Sequence, residues 1–246
     1  MRAGSRHTYD WRLRMIDRYD LLSAGVLACA LLGLSGAAHA SDRPVVVELF
    51  TSQGCSSCPP ANANLAKLAQ RKDVLALSYS VTYWDRLGWK DVFGKPEFTE
   101  RQVEYEPGLG QNGPFTPQMV VNGRLSAVGQ RIGEVEGLIS SARGDEGPDL
   151  SISGDKISVG AGSAPAGGAD VWLVRYDPKT VEVPVSRGEN KGRTLPHSHV
   201  VHELRRIGSW DGQAVKLQTR SDAGGFALAV LVQGRNGGRI LAAGTQ

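Results

Sequence analysis

The feature that most constrains the fold is a pair of cysteines, Cys55 and Cys58, between an apolar run and a helical pattern. Residues 45–50 are largely β-branched or apolar, which is typical of a buried strand. Residues 61–71 carry apolar side chains at helical spacing, and residues 74–81 form a second apolar strand. This order predicts a β-α-β unit with the Cys-x-x-Cys motif at the turn into the helix.

The next segments extend this unit. Residues 82–113 are rich in aromatic and charged side chains, which predicts an insertion made of a loop and one helix over 96–105. Asn122-Gly123 lies between two short apolar runs and predicts a β-hairpin. A last helix is expected over 131–142, so an α/β domain should occupy residues 41–143.

The composition changes after this domain. Residues 143–148 contain Gly, Asp and Pro and predict a linker. From residue 149 to 246, short alternating runs are separated by Gly, Pro and Asp at spacings typical of an antiparallel sandwich or barrel. We therefore expect a mainly β C-terminal domain over residues 149–246.

The first forty residues have the features of a secretory signal peptide. Five arginines precede an apolar run from Leu21 to about Leu34, and Ala38-His39-Ala40 supplies a cleavage site. The run is shorter than the roughly 20 residues that span a bilayer. We expect cleavage before Ser41, a periplasmic or secreted protein, and no membrane span afterwards. An uncleaved anchor and a lipoprotein modified at Cys29 are the alternatives.

Charge and cysteine usage narrow the function. The net charge of +3 falls to about +1 without residues 1–40, so no basic field remains to attract nucleic acid or anionic membrane. Cys55 and Cys58 are then the only cysteines left. A disulfide across so short a loop removes little entropy from the unfolded chain, so reversible redox chemistry is the better reason for the pair.

The position of the cysteines assigns them different roles. The amino end of a helix is electropositive and stabilises a thiolate, which predicts Cys55 as the nucleophile and as the more exposed and more reactive of the two thiols. Cys58 lies one turn further on and is the natural resolving thiol. We expect no cofactor. A structural zinc site is disfavoured because it normally needs four ligands.

Thr116-Pro117, followed by Gln118-Met119-Val120-Val121-Asn122-Gly123, resembles an element of the thioredoxin superfamily. In that family a cis-proline opens a strand and faces the Cys-x-x-Cys pair. The resemblance covers residues 45–142 and implies a thioredoxin-like domain with a central mixed sheet flanked by helices. It implies that Pro117 blocks metal capture by the cysteines and that the adjacent backbone at Thr116 pairs with an extended substrate. An ordinary trans proline at a strand start is the alternative.

Residues 48–60 and 83–91 resemble an exported bacterial family catalogued as domain of unknown function 1223, as does Arg187-Gly188-Glu189-Asn190. The resemblance spans most of the chain after residue 40. The family label implies no activity.

Other polar and aromatic side chains are candidates for the same site. The substrate-side candidates follow the second strand and are Tyr83, Trp84, Asp85 and Trp89. They could form an aromatic wall for an apolar substrate, with Asp85 tuning the local charge, or simply cap the sheet. Glu48, inside the first strand, could pass protons to Cys58 or lie at a strand end.

The histidines after residue 40 are His197, His199 and His202. On a regular strand His197 and His199 share one face, and His202 points the other way. They could bind copper or zinc, although a solvated strand face is the favoured interpretation.

The sequence therefore predicts an exported thiol–disulfide oxidoreductase that acts on protein or small-molecule thiols. Two alternatives remain open: a non-enzymatic periplasmic protein that binds copper or another soft metal, and a structural module whose disulfide stays closed.

Overall fold

The computed structural model describes Met1, Gly4 and residues 43–219 and 224–246. The predicted signal peptide, apart from Met1 and Gly4, lies outside the described residues. Residues Ser41–Gln246 form one compact unit. In the described part of the chain, no helix is long and apolar enough to cross a membrane.

The helices are α1 (Pro59–Leu68), α2 (Pro96–Leu109) and α3 (Ile132–Ala142), with a short 3-10 helix at Asp85–Leu87. The strands are β1 (Val45–Thr51), β2 (Val74–Ser80), β3 (Gln118–Val121), β4 (Leu125–Val128), β5 (Leu150–Ser153), β6 (Lys156–Val159), β7 (Ala169–Pro184), β8 (Thr194–Trp210), β9 (Val215–Gln218), β10 (Ala227–Gly234) and β11 (Ile240–Thr245). The predicted β-α-β unit and the hairpin at Asn122-Gly123 are confirmed.

A large mixed sheet runs through the molecule, in the order β11-β10-β7-β8-β2-β1-β3-β4. β1 and β2 are parallel, and β2 meets β8 in parallel at Ser78 and Val200. The remaining pairs of this sheet are antiparallel. A smaller antiparallel sheet has the order β5-β6-β9.

The expected division into two domains, 41–143 and 149–246, does not divide this sheet. β7, β8, β10 and β11 follow the predicted linker, yet they extend the sheet that β1 to β4 begin. They therefore belong to the same sheet as the first half of the chain and do not form a separate one. The physical reason lies in β2, whose seven residues are all buried. The edge of a buried strand must find hydrogen-bond partners inside the protein, and β8 supplies part of them.

Helices cover both faces of the sheet. α1 and α3 pack on the face that carries Val45, Val47 and Leu49. α2 packs on the opposite face, against Val46 and Phe50. The small sheet covers β7, β10 and β11 through a separate apolar cluster. The result is a mixed α/β fold with a central sheet and few helices, in which the cysteines follow the carboxyl end of β1.

Candidate functional site

Cys55 and Cys58 form a disulfide at the start of α1, with their Cα atoms 5.4 Å apart. Cys58 is the residue that caps the helix, and its N–H donates to the carbonyl oxygen of Cys55 at 3.2 Å. Both cysteines are 0% exposed. The prediction that Cys55 is the exposed thiol is therefore wrong, although Cys55 does precede the helix as expected.

The loop between β7 and β8, residues 185–193, binds the main chain of the cysteine motif. The side-chain amide of Asn190 donates to the carbonyl oxygens of Gln53 and Cys55, each at 2.9 Å. Glu189 accepts a hydrogen bond from the Ser56 N–H at 3.0 Å. Local sequence patterns did not predict this contact, because the loop lies more than 130 residues from the motif. The only signal was the family resemblance at residues 187–190.

The first turn of α1 differs from the expected thiolate-binding end of a helix. Pro59 and Pro60 begin the helix and carry no N–H. The N–H groups of Ala61 and Asn62 both donate to the carbonyl oxygen of Cys58. The hydroxyl oxygen of Ser57 lies 3.3 Å from the Cys55 sulfur. Ser57 is thus placed to donate to a Cys55 thiolate, a role that the sequence analysis did not assign to it.

The turn before Cys55 is held by the segment that follows β2. The Gln53 N–H donates to Asp91 at 2.7 Å, and the indole of Trp89 donates to the Gln53 side-chain oxygen at 2.9 Å. Burial raises the pKa of Asp91. Trp84 lies against Gly54, where an added Cβ would come within 3.1 Å of the Trp84 Cβ. The structure therefore places Trp84 and Trp89 beside the motif.

Tyr83 and Asp85 form hydrogen bonds with residues outside the cysteine motif. The Tyr83 hydroxyl donates to Gln102 at 3.2 Å, and burial raises the pKa of Tyr83 to about 12. Asp85 accepts the Asp91 N–H at 3.1 Å. They stabilise the segment whose residues Trp89 and Asp91 hold Gln53, and so support the turn before Cys55 indirectly.

Thr116 and Pro117 immediately precede β3, which pairs with β1 through Phe50 and Gln118. The bond between them is cis. The Thr116 hydroxyl accepts the indole N–H of Trp84 at 2.8 Å. Thr116 is therefore linked through Trp84 to the turn that carries Cys55.

Glu48 lies on the opposite face of the sheet from α1. It is fully buried, pairs with Arg101 of α2 at 2.7 Å, and accepts a hydrogen bond from Tyr105. The sheet separates it from Cys58, so the suggested proton path is not formed.

The three histidines do not converge. His197 is buried, its Nδ1 lies 3.5 Å from the side-chain nitrogen of Asn62 in α1, and burial lowers its pKa to about 4. His197 and His202 both pack against Phe93, whereas His199 faces the carbonyl oxygen of Ala76.

The predicted pairing of His197 with His199 on one face is therefore wrong. His199 has a φ of 53°, and the β7–β8 register shifts between Asp177 and Thr180, so the alternation of faces is interrupted. Within residues 43–219 and 224–246, no group of three or more His, Cys, Asp or Glu side chains is placed to hold a metal ion.

A family model described as a protein of unknown function, DUF1223, matches residues 46–233. The chain belongs to the DUF1223 family. The match includes the Cys-x-x-Cys motif, the segment that holds Gln53 and the 185–193 loop. A search of curated proteins found no match.

Two solved structures resemble this DUF1223 protein. Protein AGR_C_4864 from Agrobacterium tumefaciens is 33% identical, with a TM-score of 0.69 over 82% of this chain and 92% of that one. HBP35 of Porphyromonas gingivalis is 14% identical, with a TM-score of 0.50 over 83% of this chain and 74% of that one, and shares the fold alone.

Proposed function

We propose that this DUF1223 protein is an exported thiol–disulfide oxidoreductase with a thioredoxin-like core over residues 45–142. The observation that carries the proposal is the Cys55–Cys58 disulfide at the junction of a central strand and a helix. The order of β1, α1 and β2, followed by β3, β4 and α3, supports the assignment of the core. The strands after residue 149 extend that core.

The short spacing of the cysteines supports exchange chemistry. A disulfide stabilises a protein mainly by closing a long loop in the unfolded chain, and a bridge across three residues closes a very short one. The presence of two cysteines at this spacing at a helix start is better explained by reversible opening. The Ser57 hydroxyl, 3.3 Å from the Cys55 sulfur, would hydrogen-bond to the thiolate that opening produces.

The reaction assigns one role to each sulfur. A substrate thiolate attacks the Cys55 sulfur, the Cys55–Cys58 bond breaks, and Cys58 leaves with the electron pair and takes up a proton. A second substrate thiolate then attacks the substrate sulfur of the mixed disulfide and releases Cys55 as a thiolate, which takes up a proton. Two thiols are oxidised to one disulfide, and the protein is reduced to a dithiol. The reverse sequence reduces a substrate disulfide.

The proposed substrates are protein or small-molecule thiols, and the proposed location is the periplasm or the extracellular space. The signal-like sequence of residues 1–40 supports export. A disulfide is also typical of an oxidising compartment.

The decisive test compares Cys58→Ala with Cys55→Ala in an exporting bacterial host. In the reducing direction the Cys55 thiolate attacks a partner disulfide and Cys58 resolves the adduct, so without Cys58 high-mass bands should accumulate on non-reducing gels. Cys55→Ala should give far fewer bands, because Cys58 caps α1 and is the resolving thiol rather than the attacking one. Purified wild-type protein should also catalyse disulfide exchange in a model substrate over many turnovers. Equal adducts in both variants would contradict the assigned roles.

Complete burial of both cysteines favours a second candidate, a structural bridge that stays closed. In that case the wild-type disulfide should resist excess dithiothreitol in the folded state. Neither variant should trap a partner, and the wild-type protein should not turn over.

A further inference from the structure

The contacts of Asn190 suggest more than a structural role for the 185–193 loop. Both hydrogens of the Asn190 amide are used, one toward Gln53 and one toward Cys55. Its side-chain oxygen accepts from Arg193 at 2.7 Å, which fixes the orientation of the amide. Asn190 is itself 0% exposed. One buried side chain thus binds the carbonyl oxygens on either side of Gly54, beside a disulfide whose two cysteines are also fully buried.

The remaining contacts of the loop with the motif are polar and peripheral. Glu189 accepts the Ser56 N–H from an exposed position, and hydrogen bonding from the Ser56 side chain, then from its N–H, lowers the pKa of Glu189. Gly188 lies beside Trp89, where an added Cβ would come within 3.4 Å of the Trp89 Cβ. Solvent-exposed polar contacts of this kind are individually weak. These exposed contacts can therefore be broken at a modest cost, which leaves Asn190 as the main attachment of the loop to the motif.

Main-chain hydrogen bonds also join the two ends of the loop. The Val185 N–H donates to the Arg193 carbonyl at 2.9 Å, and the Gly192 N–H donates to the Val185 carbonyl at 2.8 Å. The pairing of β7 with β8 ends at Pro184 and Thr194, the residues on either side of the loop. Gly188 and Gly192 have φ angles of 74° and 82°, which glycine adopts without strain. The loop can pivot on its base while β7 and β8 stay paired.

Thiol exchange requires the attacking sulfur to approach along the axis of the disulfide, and Cys55 offers no exposed surface for this approach. We propose that the 185–193 loop is a gate over the disulfide, that Asn190 holds it closed, and that it selects thiols by size. A small thiol needs a slight opening, whereas a protein thiol needs the whole loop displaced. The selection of substrates rests on the proposed oxidoreductase function, but the gate itself does not.

The test measures how fast the folded, oxidised protein is reduced by dithiothreitol and by a reduced thioredoxin. Asn190→Asp keeps the size and the Arg193 contact but loses both donors, and Asn190→Ala removes the side chain. The matched control is Lys191→Ala, an exposed position on the same loop. The melting temperature of each oxidised variant checks that the fold is intact.

We expect both Asn190 variants to be reduced by thioredoxin at least roughly tenfold faster than wild type, as the loss of one or two hydrogen bonds implies. The increase with dithiothreitol should be smaller, and Lys191→Ala should match wild type. Unchanged rates in folded Asn190→Asp, or an equal increase for both reductants, would overturn the gate. Fast reduction of the variants without any turnover would leave the gate in place and refute the oxidoreductase function.

Discussion

Arg101 and Glu48 form an ion pair of 2.7 Å in which both side chains are almost completely buried. The pair joins α2 to β1, directly behind the strand that leads to the cysteines. The Tyr105 hydroxyl donates to the same carboxylate and accepts from Arg101 at 2.9 Å. The carboxylate is therefore the centre of a closed hydrogen-bond network.

Removing one partner of this pair should be costly. Glu48→Gln leaves the buried Arg101 charge uncompensated and should lower the free energy of unfolding by about 3–5 kcal/mol. The double variant Glu48→Leu/Arg101→Met should cost clearly less than Glu48→Leu alone, because no lone charge remains. Urea denaturation of the oxidised proteins gives both values. Additive losses in the double variant would contradict this account.

Gly129 leaves room for the helix that carries Cys58. A Cβ at this position would lie 2.8 Å from the Ala61 Cβ and 3.3 Å from Met119 Cγ. Gly129→Ala should therefore destabilise the protein by about 1–3 kcal/mol through overpacking. Gly137, inside α3, has no atom within 4 Å of an added Cβ among the described residues. Gly137→Ala should instead stabilise by up to about 1 kcal/mol. Thermal melts of the two variants should shift in opposite directions.

Ser57 should control the reactivity of Cys55 after reduction. Its hydroxyl is 3.3 Å from the Cys55 sulfur, and a hydroxyl donor favours the thiolate over the thiol. Ser57→Ala should raise the pKa of Cys55 and slow its alkylation at low pH. The measurement is the pH dependence of iodoacetamide labelling of Cys55 in the reduced Cys58→Ala background. Identical profiles with serine and alanine at position 57 would remove Ser57 from the site.

His197 should make the protein less stable in mild acid. Its pKa of about 4 in the folded state lies below the usual value near 6.5, so the unfolded chain binds the proton first. Its stabilising contribution is complete above about pH 6.5 and is lost as the pH falls toward 4, on the order of 3 kcal/mol in all. Comparing unfolding free energies across this range in wild type and His197→Gln should show a flatter dependence in the variant.

Direct titration offers a separate check. The imidazole resonance of His197 should still report a neutral ring at pH 5.5, because burial disfavours the charged form. His202 is only partly buried, so His202→Gln should change the pH dependence of stability far less than His197→Gln. A His197 ring that titrates near pH 6.5 would contradict the structure.

Local patterns in the sequence predicted much of the fold. The apolar runs before and after α1 and the turn residues Asn122-Gly123 each act over a few residues, and the structure has the strands and the hairpin that they predict. After residue 149 short runs separated by Gly, Pro and Asp were expected, yet the long strand β7 continues through Asp177 and Pro178. In the structure the strand crosses this point with a shift of register.

Long-range contacts left no comparable pattern. The pairing of β2 with β8 uses main-chain atoms, which every residue possesses, so no side-chain periodicity predicts it. The contact of the loop with Cys55 depends on Asn190, whose partners are likewise two carbonyl oxygens. The cysteines themselves were identified from spacing alone, but their burial is a property of the assembled sheet.

The 135 residues that separate Cys55 from Asn190 set an order of events as the chain is made. Synthesis runs from the amino end, so the dithiol emerges well before the loop that will cover it. During that interval the cysteines are open to any oxidant or partner nearby. Once β8 has paired with β2 and with β7, the same sulfurs are enclosed. A nascent chain and a finished protein with the same sequence should therefore meet different redox partners.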